Sequence, residues 1–183
     1  MKKIYFVRHS IRDTTNHSEQ APLSNLGQQL ALSLATSFDS IIVEAIFSSP
    51  YRRAQETILP IAQSKNLSLQ LVDALHERQI GTWLADFDSF TKKQWEDKDY
   101  KLDSGESLNE VKSRILLAFQ QIMSQDFGTV IISGHGTSLA ILFHYLTHEK
   151  FGYDDFRKMN MPDVYLGLFD EENCLVSLTK PFD

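Results

Sequence analysis

The feature that most constrains the fold is an alternation of strand-length apolar runs with segments of helical spacing. Ile4 to Val7 is a continuous apolar run, the pattern of a strand buried on both faces. Ser24 is placed to cap a helix over Asn25 to Phe38, with Leu26, Leu30, Leu34 and Phe38 on one stripe. A second short strand falls within Ile41 to Ser48. Arg52 to Ser64 then returns to helical spacing, with Ala54, Ile58, Ile61 and Ala62 inward. Leu67 to Val72 reads as a third strand and Thr129 to Ser133 as a fourth. Helices are predicted before and after the latter, over Glu106 to Gln125 and Thr137 to Leu146. Val164 to Phe169 and Leu175 to Thr179 flank Asp170-Glu171-Glu172-Asn173, the pattern of a hairpin near a sheet edge. The pattern predicts an α/β fold: a three-layer sandwich whose central sheet is mostly parallel and flanked by helices, with an antiparallel edge hairpin near the C-terminus.

With 183 residues the chain fits one domain spanning residues 1–183. One stretch, about 81–105, breaks the alternation. It mixes Trp83, Phe87, Phe90, Trp95 and Tyr100 with many charges, and reads as a short cap with one helix near Phe90 to Asp97. A net charge of -6 argues against nucleic acid and anionic membranes as partners, so positive charge has to be concentrated locally for any anionic ligand. The apolar run after Lys2-Lys3 ends within four residues at Arg8-His9, too short for a signal sequence, and no run reaches transmembrane length. The expected location is cytoplasmic. The single cysteine, Cys174, forms no internal disulfide and reads as a buried strand residue.

In mostly parallel sheets, function collects beyond the carboxyl ends of the strands. Strand one runs into Arg8-His9-Ser10 and strand two into Ser49-Pro50-Tyr51-Arg52-Arg53-Ala54. Strand three leads to Leu75-His76-Glu77-Arg78, and strand four to Gly134-His135-Gly136-Thr137. Two histidines, arginines and a carboxylate are thereby predicted to converge on one rim.

Five of these stretches, in order, carry a resemblance. Arg8-His9, Ser49-Pro50-x-x-Arg53-Ala54-x-x-Thr57, Leu75-x-Glu77-x-x-x-Gly81, Gly105-Glu106-Ser107 and His135-Gly136 resemble the histidine phosphatase superfamily, the phosphoglycerate-mutase-like family. Leu23-Ser24-x-x-Gly27 is similar to a further signature. The resemblance implies hydrolysis of a small phosphorylated metabolite through a phosphohistidine on His9, with no cofactor and no metal. It assigns phosphate binding to Arg8, Arg53, His135 and Gly136, and proton transfer to Glu77. Guanidinium forks suit phosphate, and amides opening the helix at Gly136 and Thr137 add donors. Ser10 and Arg12 stand where the family has other residues and are candidate substrate contacts. Two alternatives accompany this reading: a mutase-type phosphoryl transferase, and an inactive phosphate-binding protein. The 81–105 excursion is short for a cap that must keep water from a half-reacted intermediate, which favours hydrolysis.

Other groups have plainer readings. Arg52 and Arg78 are expected to be solvated or salt-bridged. His17 and His76 are expected in loops, with His17 nearer the pocket rim. His144 and His148 have the spacing of a zinc pair but no carboxylate in the motif, so surface or helix-end positions are expected. Asp86-Phe87-Asp88 lacks a preceding buried strand, and Asp88 is expected to cap a short helix. Cys174 lacks an arginine six positions on, where Lys180 stands, which excludes a cysteine phosphatase.

Overall fold

In a computed structural model of the chain, describing residues 1–82 and 84–182, the apolar runs form one six-stranded sheet. The strands are β1 (Lys2–Arg8), β2 (Ala45–Ser48), β3 (Leu69–Leu71), β4 (Thr129–Gly134), β5 (Asp163–Phe169) and β6 (Leu175–Thr179), in the order β3-β2-β4-β1-β5-β6. The first four run parallel. β5 pairs antiparallel with β1, and β6 antiparallel with β5. Trp83, grouped above with the cap aromatics, lies outside the described residues.

Side chains of β1 alternate between two cores, which is why Ile4 to Val7 is apolar at every position. Ile4 and Phe6 join the layer formed by α4 (Leu108–Met123), α5 (Gly136–Leu146) and α6 (Tyr153–Arg157). Tyr5 and Val7 join the opposite layer, with Phe38 after α1 (Asn25–Ser37) and Ile58 and Ile61 of α2 (Arg52–Lys65). The predicted three-layer architecture and its edge hairpin are both present. Each fully buried Phe or Ile contributes roughly 1.5–3 kcal/mol by leaving water.

Helix ends follow local chemistry. Ser24 caps α1 by accepting from the Gly27 N–H, and Ser107 and Glu110 form a reciprocal capping box on α4. α3 (Phe87–Glu96) is capped by Asp86, not Asp88; Asp88 instead pairs with Arg157 on α6. The α1 stripe also differs from expectation. Leu26 is 55% exposed, while Gly27, Ala31 and Phe38 are buried, because the helix lies close enough to the chain after β1 that only glycine fits at position 27. Cys174 is exposed: it sits in the hairpin turn, where its N–H donates to Asp170. α6 is too short to show periodicity in sequence, so it was not anticipated. His144 lies in the last turn of α5, one of the two expected placements, but is buried there, its Nδ1 donating to the Phe151 carbonyl at 2.8 Å and its ring against Trp95. His148 is exposed beyond the end of α5.

Candidate active site

β1 and β4 are adjacent and parallel, with Arg8 in register with Gly134. His9 and His135 therefore leave the sheet side by side, their rings 5.1 Å apart. The chain after β1 is fastened on two sides. The Ser10 N–H donates to Thr57 Oγ1 on α2 at 2.8 Å, and the Ser10 hydroxyl donates to the Gly27 carbonyl on α1 at 2.9 Å. A Cβ at Gly27 would stand 2.0 Å from the Ile11 carbonyl oxygen, so helix and loop meet at backbone contact. Ser10 is wholly buried by these bonds and turns away from the pocket, against the expectation of a substrate contact.

The bonds fix the imidazole of His9. Its Nδ1 lies 2.6 Å from the Ser10 carbonyl, an acceptor only, so Nδ1 carries the hydrogen and Nε2 presents a lone pair. Arg53 Nε approaches that lone pair at 3.4 Å. Burial, and then the charge of Arg53, lower the His9 pKa to about 3. The ring is accordingly neutral through the physiological range, as a nucleophile must be.

His135 is fully buried behind His9, not on the pocket wall. Its Nε2 meets the Ser49 hydroxyl at 2.8 Å, its Nδ1 has no partner, and burial holds its pKa well below the ordinary value. Gly136 lies under Arg8: a Cβ there would come within 2.9 Å of the guanidinium carbon. Arg8 Nη1 donates to the Met159 carbonyl at 2.7 Å. Arg53 is buried, with Tyr51 4.9 Å below its guanidinium.

Glu77 reaches the same place from the loop after β3 and a 3-10 turn (Asp73–Leu75). Its Oε2 accepts from the Thr137 N–H at 3.0 Å. Its Oε1 accepts from Ser138 N–H at 3.0 Å and Arg78 N–H at 2.8 Å. The helix-opening amides of Thr137 and Ser138, the former expected to serve phosphate, thus hold this carboxylate. Oε1 has both lone pairs engaged, whereas Oε2 keeps one free.

These groups border a pocket of about 540 Å³ whose wall includes Arg8, His9, Arg53 and Glu77. Arg12 and His17 are on it as well, together with Gly81, Thr82 and Phe87 of the 81–105 stretch. Arg52 pairs with Glu56 on the surface as expected. Arg78 does not: it is 5% exposed, lines the pocket, lies 5.3 and 5.2 Å from the rings of Phe87 and Phe90, and donates to Gln94 at 2.5 Å. A surface reading of Arg78 fails because α3 folds back over the loop and its aromatic residues enclose the guanidinium. Tyr51 and Glu19, joined by a 3.0 Å hydrogen bond, also border the pocket and carried no signal in sequence beyond Tyr51's place between Pro50 and Arg53.

His76, beside Glu77, donates from Nδ1 to the Asp73 carbonyl at 2.6 Å, and its Nε2 is 3.8 Å from Glu106. The Glu106 carboxylate raises the His76 pKa against the opposing effect of burial. Among the described residues, no group of three or more His, Cys, Asp or Glu side chains is arranged to hold a metal ion, and no helix is long and apolar enough to cross a membrane.

Comparison with known proteins identifies the family and the fold. Residues 4–178 match the family model described as histidine phosphatase superfamily (branch 1). A curated relative, phosphoserine phosphatase 1 of Hydrogenobacter thermophilus, is 26% identical over 169 residues, covering 78% of this chain and 75% of its own. A protein named probable phosphoglycerate mutase, from Escherichia fergusonii, is 27% identical over 159 residues, covering 78% and 73%. Among solved structures, a mycobacterial glucosyl-3-phosphoglycerate phosphatase superposes with a TM-score of 0.80 over 98% of both chains at 20% identity, a likeness of fold.

Proposed function

The chain belongs to the histidine phosphatase superfamily, branch 1, and on that premise we propose that it hydrolyses a small phosphomonoester through a phosphohistidine on His9. One observation carries the reading: His9 has its Nδ1 proton committed to the Ser10 carbonyl and its Nε2 lone pair on the pocket wall, with Arg53 beside it. In the first step Nε2 bonds to phosphorus as the phosphorus–oxygen bond to the leaving group breaks. Glu77 gives its proton, from Oε2, to the departing oxygen. Water then attacks the phosphohistidine, its proton returns to Glu77, and phosphate leaves with His9 restored.

Arg8 and Arg53 supply the positive charge that the transferring phosphoryl group requires, without a metal or other cofactor. His135 is buried with its ring 5.1 Å from that of His9, and the part given to it in holding a phosphate oxygen rests on its place in the family motif. Gly136 serves by leaving room for Arg8. Arg12, on the pocket wall, is the candidate contact to the rest of the substrate. In this reading residues 1–183 form one domain, with the 81–105 stretch as its cap; Gly81, Thr82 and Phe87 on the pocket wall support that. In the same reading the protein acts in the cytoplasm on a small molecule; its charge of -6 disfavours nucleic acid and anionic membranes as partners.

The test is phosphate release from a panel of phosphomonoesters in EDTA, wild type beside His9→Ala. The expected result is turnover that survives chelation and is lost in the variant. Activity unaffected by His9→Ala would sink the mechanism, and binding without turnover would turn the assignment to a phosphate-binding protein.

A further inference from the structure

Glu106, in the Gly105-Glu106-Ser107 stretch, has no place in the chemistry above, and neither it nor Arg114 lines the pocket. Their side chains are nevertheless largely buried, 19% and 16% exposed, and locked together. Arg114 Nε donates to Glu106 Oε1 at 2.7 Å and Nη2 to Oε2 at 2.9 Å, a fork-to-fork pair. Apart from the Glu106 carbonyl, which accepts from the Gln94 side chain at 2.9 Å, their other bonds fall on a single segment. Arg114 Nη1 donates to the carbonyls of Ala74 at 2.8 Å and His76 at 2.9 Å. The Glu106 carboxylate accepts from the Gln79 N–H at 2.9 Å, and the Glu106 N–H donates to the Gln79 carbonyl at 2.7 Å. Bonds thus fall on both sides of Glu77 in the chain. The approach is close: a Cβ at Gly105 would stand 2.4 Å from the Ile80 carbonyl oxygen.

We infer that Glu106 and Arg114 form a clamp on residues 74–79 that positions Glu77 for proton transfer to the leaving oxygen. The α5 amides fix the carboxylate itself, and the clamp fixes the backbone that delivers it. Without the clamp, those backbone groups have water as their alternative partner, and the segment carrying Glu77 gains freedom. An ångström of displacement matters greatly for proton transfer and little for the nucleophilic attack by His9. Both are positioning residues, and the inference rests on the role given to Glu77 above.

The leaving group provides a readout that a merely structural ion pair would not move. A p-nitrophenyl ester expels an oxygen that needs little protonation, whereas an alkyl phosphate expels one that needs it fully. The measured quantity is kcat/KM, which reports the step that expels the leaving group. Glu77→Gln is expected to lower it for the alkyl ester by about 100-fold or more, and for the aryl ester by much less. Arg114→Gln is expected to follow the same pattern, at about 10-fold or more on the alkyl ester and about 3-fold or less on the aryl ester. In the double variant the loss should match that of Glu77→Gln alone, since both changes remove one function.

Equal losses on the two esters, or an Arg114→Gln factor that multiplies that of Glu77→Gln, would overturn the clamp and leave the mechanism standing. A Glu77→Gln variant with unchanged leaving-group dependence would instead remove Glu77 as the acid, and the clamp's purpose with it. If Arg114→Gln does not fold, Glu106→Gln, which keeps the side-chain length, takes its place under the same criteria.

Discussion

At the scale of single residues, the site depends on keeping a histidine neutral among cations. The His9 pKa is lowered to about 3, whereas in the unfolded chain it returns to its ordinary value near 6.5. Between those values the unfolded chain binds a proton that the folded chain does not. Stability from this group is therefore complete above pH 6.5 and is lost progressively as the pH falls toward 3. Each such group steepens the decline by up to about 1.4 kcal/mol per pH unit. His76, with a raised pKa, works in the opposite direction, since its contribution is lost as pH rises. It is common to both proteins in a comparison of wild type with His9→Asn. Urea midpoints at pH 7, 6 and 5 are expected to fall less steeply in the variant, by about one proton. Parallel curves would mean that His9 takes up its proton as readily in the folded protein as in the unfolded chain.

At the scale of elements, the loop that carries His9 is held by the helices that flank it. α2 contributes the Thr57 hydroxyl to the Ser10 N–H, and α1 the Gly27 carbonyl to the Ser10 hydroxyl. Gly27→Ala places a methyl against the Ile11 carbonyl, where backbone has to move. Overpacking of this kind costs roughly 1–3 kcal/mol, and because the moving loop carries His9, kcat should fall together with stability. Thermal unfolding and kinetics on the same variant check this; a stable protein with full activity would mean that helix and loop separate freely. The sequence made these elements legible wherever an apolar run or stripe ran long enough to have a period, as in β1, α2 and α4. It misled where one contact outweighed the period. The stripe through Leu26 gave way to Gly27 because of Ile11, and Cys174 is exposed because the turn extends to it. At the site, the reactive side chains were legible because each follows a strand. Arg78 was not, since the rings that enclose it come from α3, and its burial is a property of how α3 packs on the loop.

At the scale of the whole molecule, a chain of net charge -6 gathers Arg8, Arg12, Arg53 and Arg78 on one pocket wall. That focuses an attractive field for anions at one mouth. Equally, the two halves of the site come from distant parts of the chain, since the β1–β4 pairing joins Lys3 to Thr129. A sheet whose central pair closes so late has high contact order and is slow to assemble. Recovery of phosphatase activity on refolding should therefore coincide with the slowest phase that restores the sheet, and trail the helical signal. Stopped-flow circular dichroism against a coupled phosphate assay would measure the interval; coincidence of activity with early helix formation would contradict it. The same connectivity has a consequence in the order of synthesis. By the time Glu77 leaves the ribosome, His9, Arg8 and Arg53 have also been made, yet His9 still lacks the neighbouring strand, whose Gly134 carbonyl accepts from its N–H at 3.0 Å. From that point the growing chain carries these groups without an assembled pocket, until β4 (Thr129–Gly134) is made and inserts beside the first strand.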